Sequence, residues 1–226
     1  RNMMALLDSL EPANSACPLV KRDYSETPLC LPCCEDLAQE TSRVREVLSS
    51  QWPAWDEDKH LILMNPSGGE LPIRAWPLEN YVRLTSLLLS DSRVGVAVVG
   101  TDADEPYFRA MSEQISSERF FNMAGKTATV RELVALCNCA RVLVTSDSGP
   151  AHFATLSTVH SMIFYGPETP VLYGPLGNNC TAFFAGISCS PCLTAFNHRN
   201  SPCDGDNVCV KKFTPEDVAA CIQEKL

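Results

Sequence analysis

The sequence predicts an α/β fold: a Rossmann-like parallel sheet with helices on both faces. From residue 60 onward, short apolar runs alternate with amphipathic segments, as in a series of βαβ units. Several runs end directly in turns of Gly, Ser, Asp or Pro, which is where a strand gives way to a helix. The 226 residues are 45% hydrophobic, which is enough to build a core.

The first βαβ unit lies between residues 61 and 99. The apolar run 61–65 is the first strand, 78–90 has helical periodicity in its Leu and Val residues, and 94–99 is a second strand ending at Gly100. Further along, 105–117 is predicted as a helix and 120–123 as a short strand.

Capping signals define the later helices. Thr129 opens the predicted helix 129–137, and Glu132 three residues later predicts a capping box. Thr214 is the predicted N-cap of the last helix. The remaining predicted elements are strands 141–145, 161–165 and 181–185 and helices 150–156 and 215–225.

Residues 1–59 do not continue the alternation. They predict the tail of a helix at 3–10, an irregular Pro- and Cys-rich stretch at 17–34 and an amphipathic helix at 35–50. We therefore expect 1–59 to be a linker arm and helix leading from an N-terminal domain. The Rossmann-like domain is expected over 60–226, with a Cys-rich loop at 186–212 and a final helix.

Composition excludes several function classes. A net charge of −9 and a pI near 4.9 argue against nucleic-acid binding, which needs clustered Lys and Arg. No stretch approaches the roughly 20 apolar residues of a membrane span. The twelve cysteines lie in a chain richer in regular structure than secreted disulfide scaffolds, so we expect a reducing, cytoplasmic compartment.

The junction 142–152 is the most informative stretch. A β-branched apolar run is followed by small residues at 146–149, and Pro150 suits the first turn of a helix. The N–H groups and positive dipole end of that helix favour a bound phosphate. The alternative is structural: Asp147 as an N-cap and His152 as a histidine held beneath a loop.

Two further loops follow predicted strands. Residues 65–77 contain a glycine pair that would let backbone approach a ligand, followed by Arg74. Residues 100–105 place carboxylates where an acidic residue hydrogen-bonds the ribose diol in dinucleotide-binding folds. Glu105 is equally well explained as an acidic residue favoured at a helix start. The spacing of Asp102 and Asp104 fits a metal loop, but a helix start explains it better.

Taken together, these segments resemble glycosyltransferase family 9, the ADP-heptose:lipopolysaccharide heptosyltransferases and their relatives. The order and spacing of the motifs carry the resemblance, which covers about residue 60 to the C-terminus. The motifs are Asn65-Pro66, Arg74-Ala-Trp-Pro77, the loop 98–105, Met123-Ala-Gly125, Asp147-Ser-Gly-Pro-Ala-His152 and Tyr165-Gly-Pro167.

The resemblance implies one half of a GT-B fold, the C-terminal half that binds the donor nucleotide diphosphate sugar. The family's acceptor half supplies the catalytic carboxylate base, so we expect this chain alone to bind donor but to transfer little. The implied reaction is inverting transfer of a sugar, heptose in the first instance, to a lipopolysaccharide core or related glycan. The resemblance also implies a glycolipid or glycan acceptor. It implies that the protein associates peripherally with the inner face of the bacterial inner membrane.

The resemblance also assigns roles to residues. Arg74 would neutralise the leaving diphosphate and Asp147 would contact sugar hydroxyls; these are the candidate catalytic residues. Glu105 would hold the ribose and Lys126 would be a second cation. The other expected donor-binding residues are Asn65, Ser67, Gly68, Trp76, Ser148, Gly149, Pro150 and His152. No cofactor or metal is required for the reaction.

The cysteines and the function each leave an alternative open. Cys189, Cys192, Cys203 and Cys209 have a spacing that a structural zinc or iron–sulfur site could use, with His198 as a substitute ligand. Free thiols or a disulfide explain them equally well. The alternative functions are a non-catalytic module that binds a nucleotide or nucleotide sugar, and a metal-stabilised scaffold.

Overall fold

The computed structural model of the chain describes residues 33–226 except 57, 70, 195, 196, 198, 199, 202, 204 and 205. The described residues belong to one compact unit. The expectations for the helix tail at 3–10, for most of the stretch 17–34 and for His198 lie outside them.

The described residues form one six-stranded sheet in the order β3-β2-β1-β4-β5-β6. Every neighbouring pair of strands is parallel, which confirms the predicted Rossmann-like fold. The strands are β1 (His60–Asn65), β2 (Val94–Val98), β3 (Phe120–Asn122), β4 (Val142–Ser146), β5 (His160–Tyr165) and β6 (Cys180–Phe184).

The helices of the described residues connect these strands. They are α1 (Ala38–Gln51), α2 (Leu78–Leu88), α3 (Glu105–Ser112), α4 (Val130–Asn138), α5 (Gly149–Phe153), α6 (Pro170–Tyr173), α7 (Val208–Lys211) and α8 (Pro215–Gln223). Short 3₁₀ turns lie at Pro72–Arg74, Asp102–Asp104 and Ala154–Leu156. None of the helices in the described part of the chain is both long enough and apolar enough to span a membrane.

The sheet is buried on both faces. Ile62 and Met64 of β1 face a core that includes residues of α2 and α8, whereas Leu61 and Leu63 face a core that includes residues of α1 and α4. Because both faces are covered, the central strands need no alternating polar positions, and this is why they appear as continuous apolar runs.

The strand order reverses between β1 and β4. The chain runs from β1 outward to β2 and β3, then returns to place β4 on the other side of β1. Such a switch point leaves a crevice at the carboxyl ends of the two central strands, because the connections that follow them turn in opposite directions. The loops after β1 and β4 therefore meet.

The capping prediction for α4 is half confirmed. The Glu132 N–H donates to Thr129 Oγ1 at 3.2 Å, as expected. The Glu132 carboxylate does not return to Thr129; it accepts the Ala128 N–H at 2.6 Å and pairs with Arg43 of α1 at 2.6 Å. The ion pair with Arg43 holds the Glu132 carboxylate away from the Thr129 N–H, and it connects α1 to α4. Thr214 caps α8 through the Asp217 N–H at 3.2 Å, as predicted.

Two helix ends were predicted wrongly. The third helix ends at Ser112 instead of 117, since Ser112 Oγ donates to the Arg109 carbonyl at 2.8 Å and the chain turns to bury Ile115. The helix predicted at 150–156 is α-helical only to Phe153 and continues as a 3₁₀ turn, where Thr155 Oγ1 donates to the His152 carbonyl at 2.7 Å. The helices α6 and α7 were not predicted because four residues are too few to show a 3.6-residue period.

The amphipathic segment after residue 35 packs on the sheet through α1 and Trp52. Trp52 is buried, and its ring packs 6.1 Å, centroid to centroid, from that of Phe121. The ring also covers Gly95 of β2: a Cβ at Gly95 would lie within 2.7 Å of Cε3 and Cη2 of Trp52. Glycine is therefore required at this position for steric reasons.

We expect Gly95→Ala to lower the free energy of unfolding by about 1–3 kcal/mol, because the added methyl overpacks against Trp52. Urea titration of Gly95→Ala, Trp52→Leu and the double variant checks this. Since Trp52→Leu removes the opposing ring, the cost of Gly95→Ala should fall by about 1 kcal/mol or more in that background. Strict additivity of the two substitutions would contradict the proposed clash.

Candidate active site

Two site residues predicted from sequence, Arg74 and Asp147, lie at the carboxyl edge of the sheet together with Glu168, which was not predicted. Arg74 follows β1, Asp147 follows β4, and Glu168 follows β5. Because β1, β4 and β5 are adjacent, segments far apart in sequence meet at the switch point.

Asn65 joins the ends of three strands. Its Nδ2 donates to the Val99 carbonyl at 2.9 Å, and its Oδ1 accepts from Thr145 Oγ1 at 3.4 Å. The Tyr81 hydroxyl donates to the Asn65 carbonyl at 3.4 Å, and burial raises the pKa of Tyr81. The amide is therefore engaged inside the protein, where it joins the segments after β1, β2 and β4, and a contact of Asn65 with the donor stays a prediction.

The glycine pair shapes the loop that carries Arg74. Ser67 Oγ accepts the Gly69 N–H at 3.0 Å, and Gly69 has φ +62°, a conformation that favours glycine. A Cβ at Gly68 would lie 2.8 Å from the Leu71 carbonyl oxygen. The close approach at Gly68 is thus to its own loop, and the donor-binding role of Gly68 stays a prediction.

Trp76 anchors that loop in the core. The side chain is 1% exposed, its ring stacks on Phe164 with centroids 4.5 Å apart, and its Nε1–H donates to the Phe213 carbonyl at 3.1 Å. The Trp76 ring is thus covered by protein, and its contact with the donor stays a prediction. Its role is to hold the turn Pro72–Arg74 in place.

Arg74 forms an ion pair with Glu168. Arg74 Nη2 contacts Glu168 Oε2, and the two side chains are 16% and 1% exposed. Sequence reasoning missed Glu168, although it directly follows the Tyr165-Gly-Pro167 motif at the end of β5. The signal was available: a carboxylate just beyond a strand of a parallel sheet lies at the same edge as the loops after its neighbours.

Asp147 and His152, on the segment after β4, lie near Arg74. The buried Asp147 accepts no close bond from His152, whose Nε2 is 3.9 Å from Asp147 Oδ1. Partial burial, followed by the positive charge of Arg74, holds the pKa of His152 below its ordinary value. Burial raises the pKa of Tyr165, and the negative charges of Asp147 and Glu168 raise it further. These five groups therefore share one electrostatic environment.

The junction after β4 has the predicted shape of a strand, a small-residue turn and a helix. Ser148 Oγ lies 3.0 Å from Thr145 Oγ1, and α5 begins at Gly149 with Pro150 in its first turn. Gly149 is exposed, and a Cβ there would meet only the Phe153 ring, at 3.6 Å. A ligand can therefore approach the backbone at this turn.

Glu105 and Lys126 lie on the loops after β2 and β3, further along the same edge. Glu105 is the first residue of α3 and pairs with Arg109 at 3.0 Å, which agrees with the structural alternative for it. Lys126 follows Gly125, which has φ +71° and packs against the Asp102 side chain. The ribose role of Glu105 and the phosphate role of Lys126 stay predictions.

Part of the Cys-rich loop supports the segment that carries Glu168. The N–H groups of Cys192 and Leu193 donate to the Pro167 carbonyl at 2.9 and 2.7 Å, and Ser190 Oγ donates to the Gly166 carbonyl. Cys209 packs against Gly166, where a Cβ would lie 2.7 Å from its Sγ. The segment before Glu168 is therefore fixed from behind.

The cysteines themselves are free thiols in the structure. This holds for Cys189, Cys192, Cys203 and Cys209. Within the described residues, no three of His, Cys, Asp and Glu are grouped so that they could hold a metal ion. A zinc or iron–sulfur site at these cysteines stays a prediction from their spacing.

Comparison with known proteins agrees with this arrangement. The chain resembles the solved structure of E. coli ADP-heptose LPS heptosyltransferase II, with a TM-score of 0.68 and 20% identity over 88% of this chain and 54% of that one. It resembles a glycosyl transferase family 9 structure from Veillonella parvula DSM 2008, with a TM-score of 0.68 and 22% identity over 90% and 54%. E. coli heptosyltransferase WaaC with ADP gives a TM-score of 0.56 and 17% identity over 76% and 46%.

The chain spans about half the length of these structures. None of the curated proteins matches it significantly. The model of the family described as Glycosyltransferase family 9 (heptosyltransferase) matches residues 23–201, which is most of the chain. This protein therefore belongs to glycosyltransferase family 9.

Proposed function

We propose that this chain is the donor-binding half of an inverting glycosyltransferase and that it binds a nucleotide diphosphate sugar at the switch point. The observation that carries the proposal is the position of Arg74: a guanidinium held in the crevice between the loops after β1 and β5, beside Asp147 and His152. Family membership supports the reaction class.

The chemistry requires a cation at this place. As the bond from the sugar to the diphosphate breaks, negative charge builds on the leaving phosphate, and a preorganised cation stabilises it. A guanidinium offers several N–H donors in a planar fork that suits phosphate oxygens. With one edge of the fork on Glu168, the remaining donors of Arg74 are oriented before the ligand arrives.

The turn after β4 would hold the rest of the donor. Asp147 would accept hydrogen bonds from sugar hydroxyls, and the exposed backbone at Ser148 and Gly149 would offer N–H groups to a phosphate. His152 would add a donor at the rim. Lys126 and Glu105, on the neighbouring loops, would reach a phosphate and the ribose respectively.

The names of the similar structures support a particular donor. One is an ADP-heptose heptosyltransferase, and WaaC is described with ADP and with ADP-2-deoxy-2-fluoro heptose. We therefore propose an adenosine diphosphate sugar with heptose as the donor. A lipopolysaccharide core or related glycan is the proposed acceptor, reached at the inner face of a membrane.

We expect Arg74→Ala to weaken ADP binding by about 30-fold or more, because a charge-assisted contact to phosphate is lost. Calorimetry with ADP and UDP measures this and separates the nucleotide classes. Since Arg74→Ala leaves Glu168 buried without its cation, the double variant Arg74→Leu with Glu168→Gln provides a binding-deficient protein that avoids an unpaired buried charge.

Arg83→Ala is the matched control, because Arg83 is exposed and pairs with Glu216 of α8. It should bind ADP like the original chain. If the original chain binds no nucleoside diphosphate at millimolar concentration, the proposed function is wrong. If Arg74→Ala binds as tightly as the original chain, the phosphate site is elsewhere.

We also expect binding of an ADP-sugar to strengthen as pH falls. His152 has a lowered pKa and is mostly neutral near pH 7, so an anionic ligand that favours its charged form takes up a proton on binding. The affinity for ADP-glucose should rise about three-fold from about pH 7.5 to about pH 6. ADP-glucose is suitable because its diester phosphates do not titrate in this range.

His152→Gln should flatten this pH profile while still binding the ligand. An affinity in the original chain that is constant or decreases toward low pH would exclude His152 as a phosphate contact.

A further inference from the structure

We propose that Glu168 is a specificity-determining residue that favours the nucleotide-sugar diester over the free nucleoside diphosphate. This inference rests on the proposed function and extends it to the release of product. A free diphosphate carries about one more negative charge than its sugar ester at neutral pH, and that charge is on the terminal phosphate.

Glu168 is buried against Arg74, and the backbone on both sides of it is hydrogen-bonded. It is 1% exposed, and its carboxylate contacts Arg74 Nη2. The carbonyl of Pro167, just before it, accepts the N–H groups of Cys192 and Leu193. Thr169, just after it, caps α6 by accepting the Val171 N–H at 3.3 Å. The carboxylate is therefore a fixed part of the site.

A fixed carboxylate on the arginine must repel a phosphate bound to the same arginine. Hydrogen bonds of about 2.8 Å on two edges of one guanidinium place the carboxylate and phosphate oxygens about 4–7 Å apart. At that separation, and with an effective dielectric constant of about 40, between the values for a protein site and for water, each added negative charge on the ligand weakens binding roughly ten-fold. The penalty is larger for the free diphosphate because its extra charge lies on the phosphate at the cleavage point.

Asp147 adds a second negative charge near Arg74. It is buried on the neighbouring loop, and its charge and that of Glu168 both reach Tyr165. The crevice thus combines two carboxylates with Arg74, whereas a site of cations alone would favour the more highly charged product. After transfer, the same repulsion would promote departure of the nucleoside diphosphate.

Calorimetry of the whole chain with ADP and with ADP-glucose tests the inference. We expect Glu168→Gln to strengthen the binding of both ligands, and to strengthen ADP binding about ten-fold more than ADP-glucose binding, so the preference moves toward ADP. Glu168→Asp keeps the charge and should keep the original preference, which a merely structural role would not predict. Glu118→Gln makes the same change of net charge at an exposed residue just before β3, at the amino ends of the strands, and should alter neither affinity.

The outcomes separate this inference from the proposed function. If the original chain binds neither ligand, the proposed function fails. If both ligands bind and Glu168→Gln leaves their ratio unchanged, only the role of Glu168 is overturned. Should Glu168→Gln fail to fold, the original chain still decides: we expect ADP-glucose to bind at least as tightly as ADP, and a preference for ADP above roughly ten-fold overturns the inference.

Discussion

The parallel pairing of β1 with β4 is the constraint on which the rest of the structure depends. Val142 to Thr145 pair with Ile62 to Asn65, so the two strands end side by side and their loops open in opposite directions. Asn65 reinforces the pairing by bonding to the chain after β2 and to Thr145 of β4. A one-residue slip would turn each side chain of the shifted strand toward the opposite core, where it would not fit, and would separate these bonds, so the crevice would not form.

The ion pair between Arg74 and Glu168 is better understood through function than through stability. Removing two charges from water costs several kcal/mol, and apolar replacements of buried pairs are often as stable or more stable. A buried carboxylate beside a candidate phosphate-binding arginine is therefore an expensive feature to maintain. The pair lies at the switch point, where this fold binds ligands, and a role in ligand binding would explain why this desolvation cost is tolerated.

Much of the fold could be predicted from the sequence, because strands buried on both faces leave long apolar runs and Thr129 and Thr214 mark helix starts. The junction after β4 was recognisable for the same local reason. Glu168 was not, since its partner is 94 residues away and the two meet only through the order of strands. The burial of Trp76 was not predicted either, because an aromatic residue in a loop motif looks the same in sequence whether it faces a ligand or the core.

The bond from Trp76 to the Phe213 carbonyl has a consequence for synthesis of the protein. It ties the loop that carries Arg74 to the segment immediately before α8, across 137 residues of chain. During synthesis, Trp76 gains this partner only after residue 213 has emerged from the ribosome. A nascent chain that stops before that residue therefore lacks the bond that supports the loop with Arg74.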